Sequence, residues 1–307
     1  MQAQLYDMST DRPNILNKLS ILKDVLIGNA VKIKVLFDVH IRKSIKLSAI
    51  KDSSVVVSLT SYGSRVSNCV VYTVYSLLTQ SVRPSRVVLW LNQETFNDQN
   101  IPQNLKFLCS YGLEIRYCKD IRSYTKIIHS LSAFPDKKII TADDDLYYTK
   151  DFVKEFLEAH RKHPQSIITA FARLPFLNDK GLLAPYTEWP EIKHASEAFK
   201  YDGRKLMPLG VGGVLYPSHV FDEEIFNESV FLSLCPKADD VWLYVMGLRC
   251  GVDKRLLVNS RISYYQTDTL RQCLMKDRLT DSNRMGGEND VQLKALLDYY
   301  QIPTDQC

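Results

Sequence analysis

The 307-residue sequence predicts an α/β fold, with a mostly parallel central sheet flanked by helices. Three observations predict it. Short apolar, β-branched runs alternate with helix-periodic segments from 53 to 171, the pattern of a sheet covered on both faces. The first such run, SSVVVSL (53–59), is apolar without alternation, as a strand buried on both sides must be. Composition is that of a folded chain: 45% hydrophobic, 24% charged, and only 12 Gly and 12 Pro, which excludes collagen-like and disordered classes.

The elements follow in order. Residues 53–59 form the first strand, and TSYGSR (60–65) a turn. Val70, Val71, Val74, Leu77 and Leu78 recur at helical spacing within 67–80. RVVLWL (86–91) is the second strand and 113–117 the third. SYTKIIHSL (123–131) is helical, and KIIT (138–141) is a strand running into Asp143, Asp144 and Asp145. A helix over 150–163 stops at Pro164, and a strand covers 167–171. Beyond 172 the alternation becomes irregular. Residues 178–227 are rich in aromatics, Pro and Gly around Gly210, Gly212 and Gly213, and 239–250 is helix-periodic. Residues 255–258 and 261–265 read as strands, 270–288 as loop and 289–300 as a closing helix.

Charge is unevenly placed. Residues 1–52 hold nine Lys/Arg and five Asp, so the whole excess of +4 lies in the first sixth of the chain. This basic N-terminal extension is apolar at roughly helical spacing over 15–50, although Leu36, Phe37, Val39 and Ile41 suit a strand equally. It packs on the main domain, meets a second copy as a homodimer, or touches anionic lipid through 15–51 as a peripheral membrane contact. The neutral remainder carries no basic-aromatic stripe, so nucleic acid is not an expected partner. No run of 18 apolar residues and no leader pattern occurs, which places the protein in the cytoplasm. Seven cysteines without a CxxC pair read as reduced, mostly buried thiols.

The candidate chemistry sits at strand ends, where open α/β sheets bind ligands. Asp143, Asp144 and Asp145 repel one another unless a cation compensates. In extended geometry Asp143 and Asp145 face one way and suit one Mg²⁺ or Mn²⁺ shared with substrate phosphates. Asp239 and Asp240 open a helix, where one carboxylate caps and its neighbour is free to act as general base. Gly210, Gly212 and Gly213 permit close backbone approach to a ligand or another strand. Thr60, Tyr62 and Arg65 follow the first strand, Asp120 follows the third, and Lys126 lies where it could reach a phosphate. His194 and His219 lack metal-ligand spacing.

These strand-end motifs resemble the nucleotide-sugar glycosyltransferases of the GT-A fold, the bacterial enzymes that build capsule, O-antigen and other surface polysaccharides. The resemblance rests on VVVSLTSYGSRV (55–66), SLLTQSVRPSRVVLWL (76–91), IITADDDLYYTKDF (139–152), GVGGVLYP (210–217), ADDVWLYVMGL (238–248) and GGENDVQLKALLDYY (286–300). It implies a Rossmann-like domain over 53–300, with a nucleotide half about 53–150 and an acceptor half about 151–270, then a C-terminal loop and helix at 271–307. It implies transfer of a hexosyl-type sugar from a nucleoside diphosphate, UDP favoured, to a glycan or lipid-linked acceptor. Thr60, Tyr62, Arg65, Asp120, Lys126, Asp143, Asp144, Gly212 and Gly213 would bind the donor. Asp145 and Asp143 would hold Mn²⁺ or Mg²⁺, and Asp240 or Asp239 would be catalytic on the acceptor side. The family's late metal-binding His has no counterpart here, so Asn289, Asp290 or water takes that place. The alternatives are a metal-dependent phosphohydrolase or nucleotidyltransferase and a non-catalytic sugar-binding module; the first strand end, SLTSYG, lacks the nucleophilic Asp of haloacid-type phosphohydrolases, and no P-loop motif occurs.

Overall fold

A computed structural model describes residues 15–192, 201–257, 264–266 and 287–307, without the side chains of 15–24 and 264–266. The expected strands appear as β1 (Val55–Thr60), β2 (Arg86–Asn92), β3 (Leu113–Cys118), β4 (Lys138–Thr141) and β6 (Ile167–Arg173). A short β5 (Leu146–Tyr148), β7 (Glu191–Ile192), β8 (Met207–Tyr216), β9 (Lys254–Leu256) and β10 (Tyr264–Gln266) complete the set. Eight strands form one sheet in the order β3-β2-β1-β4-β8-β6-β7, with β9 also on β6. β1 pairs parallel with β2 and β4, β2 with β3, and β6 with β9. Only β8 and β7 run against the rest, so the sheet is mostly parallel, as expected.

The unbroken valines of β1 are explained by its two covered faces. Val55, Val57 and Leu59 enter the core on one side and Val56 the core on the other. The first side is closed by α1 (Ile15–Leu36), α3 (Val70–Leu78), α4 (Gln103–Cys109) and α6 (Phe152–Lys162). The second is closed by α5 (Thr125–Ala133), α7 (Glu228–Leu234), α8 (Asp239–Arg249) and α9 (Glu288–Tyr300).

Several local readings are corrected. The segment around 36–41 is helical, not a strand: α1 passes into one π-helical turn at Phe37–Ile41. That turn points Val35 and Val39 inward and lets Asp38 accept hydrogen bonds from Tyr75 Oη at 2.5 Å and Lys34 Nζ at 2.9 Å. The helix expected over 67–80 is two pieces, α2 (Arg65–Asn68) and α3, broken at Cys69, whose φ of −127° is not helical. The irregular glycine-rich region contains the ten-residue β8, hidden in the sequence because three of its residues are glycine. The strand expected over 261–265 is described only at 264–266, and the loop expected at 270–288 lies largely outside the described residues. Six cysteines are described and all are free thiols.

A buried polar chain fixes α5 on β1. Trp90 Nε1–H donates to Ser130 Oγ at 2.7 Å, Ser130 Oγ–H donates to Ser58 Oγ at 2.7 Å, and Ser58 Oγ–H donates to the Lys126 carbonyl at 2.5 Å. Ser58 and Ser130 are fully buried, so each hydroxyl needs these partners. Ser130→Ala strands the Trp90 N–H and removes the donor that Ser58 Oγ accepts from. It is expected to lower unfolding free energy by about 1–3 kcal/mol in urea titration; an unchanged midpoint would show that the chain is dispensable.

Candidate functional site

All four parallel strands β3, β2, β1 and β4 deliver their C-terminal ends to one edge, and the candidate residues gather there. β4 ends at Thr141 and the chain turns at Asp144–Asp145 before β5. The turn corrects the extended geometry expected for the triplet: Asp143 reaches Lys126, whereas Asp144 and Asp145 share Arg65. Asp143 Oδ1 meets Lys126 Nζ at 3.2 Å, and its Oδ2 accepts the Gly212 N–H at 3.2 Å. Asp144 Oδ2 accepts from Ser61 Oγ at 2.6 Å and its Oδ1 meets Arg65 at 2.8 Å. Asp145 Oδ2 meets the same Arg65 nitrogen at 2.6 Å. Two further bonds hold the turn: Tyr148 Oη accepts the Asp143 N–H at 2.8 Å, and Thr73 Oγ1 donates to the Asp144 carbonyl at 2.9 Å.

The second acidic pair arrives from α8. Ala238 occupies the cap position of that helix, with Asp239 and Asp240 in its first turn. Asp240 does not cap. It turns across to β8, where both carboxylate oxygens accept the Gly210 N–H at 3.1 Å. The glycine strand therefore binds both acidic motifs through backbone amides, Gly210 to Asp240 and Gly212 to Asp143. Side chains would crowd these points: a Cβ on Gly210 would lie 2.8 Å from Asp240 Oδ1, and one on Gly212, whose φ of +75° also favours glycine, would lie 2.8 Å from the Phe171 ring.

Electrostatics tie the parts together. Burial opposes the charge of Lys126, but Asp143, Asp239 and Asp240 outweigh it and hold the ammonium above the ordinary lysine value. Burial and then Asp239 push the Asp240 carboxyl up to about 7, against the Gly210 amide and Lys126. Burial likewise pushes Asp144 up to about 6 against Arg65 and Ser61. Burial raises Asp145 as well, with Arg65 opposing and Asp143 adding repulsion. Burial works against the Arg65 charge too, yet Asp144 and Asp145 lift it above its usual value.

Of the residues singled out in the sequence, Arg65, Lys126, Asp143, Asp144, Asp145, Gly212, Asp239 and Asp240 converge. Arg65 is the ion-pair partner of two of the carboxylates, a role the sequence reading did not give it. Thr60 ends β1 with its hydroxyl donating to the Trp90 carbonyl at 3.0 Å. Tyr62 stands exposed at the rim, its ring 5.4 Å from the Arg65 guanidinium. Asp120 follows β3 at the same edge, but its described partner is the Arg122 N–H at 2.7 Å, away from the carboxylates. Gly213, at φ +110°, leaves room for Phe152, whose ring a Cβ would approach to 2.9 Å. Asp290 accepts the Tyr186 N–H at 2.7 Å, and Asn289 is buried at the start of α9 with Oδ1 unpartnered. His219 pairs with Asp136 on the surface, and His194 lies outside the described residues. Ser61, Thr73 and Tyr148 were not anticipated. Ser61 alone left a trace, as a polar residue at the end of an apolar strand.

A divalent cation fits this donor set in one way. Five carboxylates stand against Arg65 and Lys126, a formal excess of three negative charges on these seven side chains. Among the described residues no three His, Cys, Asp or Glu side chains form a closed cage. The fit is therefore to an ion held by one or two carboxylates and completed by substrate oxygens, the mode of Mg²⁺ at phosphates.

No family model and no curated protein matches the chain. Among solved structures it is similar to CMP:2-keto-3-deoxy-manno-octonic acid synthetase complexed with CTP, at 10% identity and a TM-score of 0.39, over 67% of this chain and 88% of that one. That likeness is one of fold alone.

Lys126→Met is expected to destabilise the protein by about 2 kcal/mol at pH 8, the loss of a charge-assisted hydrogen bond. Urea unfolding of the variant and the parent at pH 8 checks this; an unchanged midpoint would show that the Lys126–Asp143 pair is dispensable to the fold.

Proposed function

We propose that this chain is a metal-dependent glycosyltransferase of the GT-A type. It moves a sugar from a nucleoside diphosphate, UDP favoured, to a hydroxyl of a glycan or glycolipid acceptor in surface-polysaccharide synthesis. One observation carries the reading: two acidic motifs about 95 residues apart meet through Lys126 and two glycine amides at the C-terminal edge of a parallel sheet. Such an edge is where α/β sheets take nucleotides. The sequence motifs that resemble this family supply the same residues.

The roles in this reading are assigned as follows. Tyr62, Thr60 and Asp120 line the strand ends where base and ribose would lie. Asp143 and Asp145 would hold Mn²⁺ or Mg²⁺, which when bound supplies positive charge to the departing diphosphate. Lys126 is already drawn to this point by Asp143 and adds a fixed positive charge near developing negative charge. Arg65 shares the triplet and offers the phosphates a second cation. Asp240, held near neutrality and oriented by the Gly210 amide, takes the proton of the incoming acceptor hydroxyl in an inverting displacement.

Two experiments test this. With Mn²⁺ and a UDP-sugar, the parent protein is expected to gain thermal stability and to release UDP in the presence of an acceptor. Asp145→Ala should stay folded and lose transfer. Undiminished turnover by that variant would remove the metal role, and release of pyrophosphate from a nucleoside triphosphate would instead mark nucleotidyl transfer.

For Asp240 the sign is set by its raised pKa. The carboxylate is the active base, so kcat/KM is expected to rise with pH and level off above about 7. Asp240→Asn should flatten that profile and slow transfer at least about 100-fold with donor binding intact. The same substitution removes a charge held in an unfavourable place, so the variant should melt higher than the parent at pH 8. A near-normal rate would assign Asp240 to structure.

A further inference from the structure

The N-terminal helix has a second apolar face that stands exposed among the described residues. Its inward face is Val31, Val35 and, in the π-helical turn, Val39, all packed on the core. Its outward face carries Leu26, Ile33 and Phe37, with Ile41 in the next turn, at 61%, 68%, 51% and 71% exposure. Ala30 fills the one gap, so the spacing is 4, 3, 4 from Leu26 to Phe37. Of the fourteen large apolar side chains exposed among the described residues, six fall between 26 and 50. Exposure on that scale is uncommon on an isolated surface.

We propose that this face lies flat on an anionic lipid surface. Charge complementarity selects that occupant. The whole positive excess of the chain, +4, lies in residues 1–52, and Arg42, Lys43, Lys46 and Lys51 are exposed in the segment that directly follows the apolar stripe. These are the positions from which long basic side chains reach headgroups while their stems lie on apolar surface.

A second copy fits less well. The 4, 3, 4 spacing from Leu26 to Phe37 would serve a paired helix as well, but two copies would oppose two segments of the same positive charge. Crossing the bilayer is excluded on the described residues, where no helix is long and apolar enough. The 22-residue helix, about 33 Å long, lies in the interface plane.

This inference stands on the helix and not on the reaction, so the test needs neither donor nor acceptor. The full chain is mixed with vesicles of phosphatidylcholine containing phosphatidylglycerol, or of phosphatidylcholine alone, and floated through a density gradient. Binding is expected to the anionic vesicles only and to weaken with salt. Arg42→Gln with Lys46→Gln and Lys51→Gln should weaken it about 100-fold, since each basic residue near an anionic surface adds about 1 kcal/mol. Ile33→Ser with Phe37→Ser should abolish it while the protein unfolds at the parent's temperature. A chain that stays unbound overturns the proposal, as does one that binds both vesicle types equally. A dimer by light scattering that the Ile33 and Phe37 substitutions dissolve would give this face to a second copy.

Discussion

The site is organised by a half-buried ammonium among crowded carboxylates. Lys126 stands between Asp143 and the Asp239–Asp240 pair, and without it two like-charged motifs would face each other across the end of the sheet. Its position is set from beneath. The Ser58–Ser130–Trp90 chain fixes the carbonyl of Lys126 itself on β1, so the backbone that carries the charge is anchored in the core. A charge needed at one point is thus supported by neutral, fully buried hydrogen bonds one layer below, the arrangement that holds a functional group to its geometry.

The glycine strand is the other half of the constraint. β8 runs against its neighbours between β4 and β6, and only there can its amides face both acidic motifs. Side chains are absent from Gly210, Gly212 and Gly213 for separate local reasons: a carboxylate oxygen, the Phe171 ring and the Phe152 ring occupy the space. An ion-pair cluster of this kind is unfavourable to fold, and the raised carboxyls of Asp144, Asp145 and Asp240 record it. Strain of that sort is tolerated where chemistry uses it.

Much of this was legible in the sequence, and the misses share a cause. The parallel core could be read because strands covered on both faces need continuous apolar runs, and VVVSL, RVVLWL and KIIT are such runs. The acidic triplet and the later pair were visible as charge that a strand end or helix start must explain. β8 was not visible, because glycine hides the alternation that marks a strand. The split of the triplet was missed because extended geometry was assumed where the chain turns, and a turn changes which way alternate side chains point. Arg65 was read as a donor-binding residue; its pairing with Asp144 and Asp145 needs the loop after β1 to fold over the end of β4, which no local pattern encodes. Ser61, Thr73 and Tyr148 are polar residues whose partners lie far along the chain, and single-sequence periodicity is blind to such pairs.

The helix α3 joins the outer surface to the site. All nine of its residues are buried, and its polar ones face two ways. Tyr75 donates to Asp38 and accepts from Lys34, which pins α1 and its π-helical turn. Thr73 donates to the Asp144 carbonyl, and Ser76 Oγ accepts the Tyr148 N–H, which pins the acidic turn and β5. Neither end of α3 can shift without leaving a buried polar group unpaired, at a cost of order 1–3 kcal/mol each. The apolar stripe of α1 and the carboxylates of the site are therefore held by one buried helix as parts of one rigid body. Wherever the stripe rests, the strand-end edge is presented at a fixed attitude to that surface. For an acceptor embedded in a bilayer, such fixed presentation replaces a search in three dimensions by one in a plane.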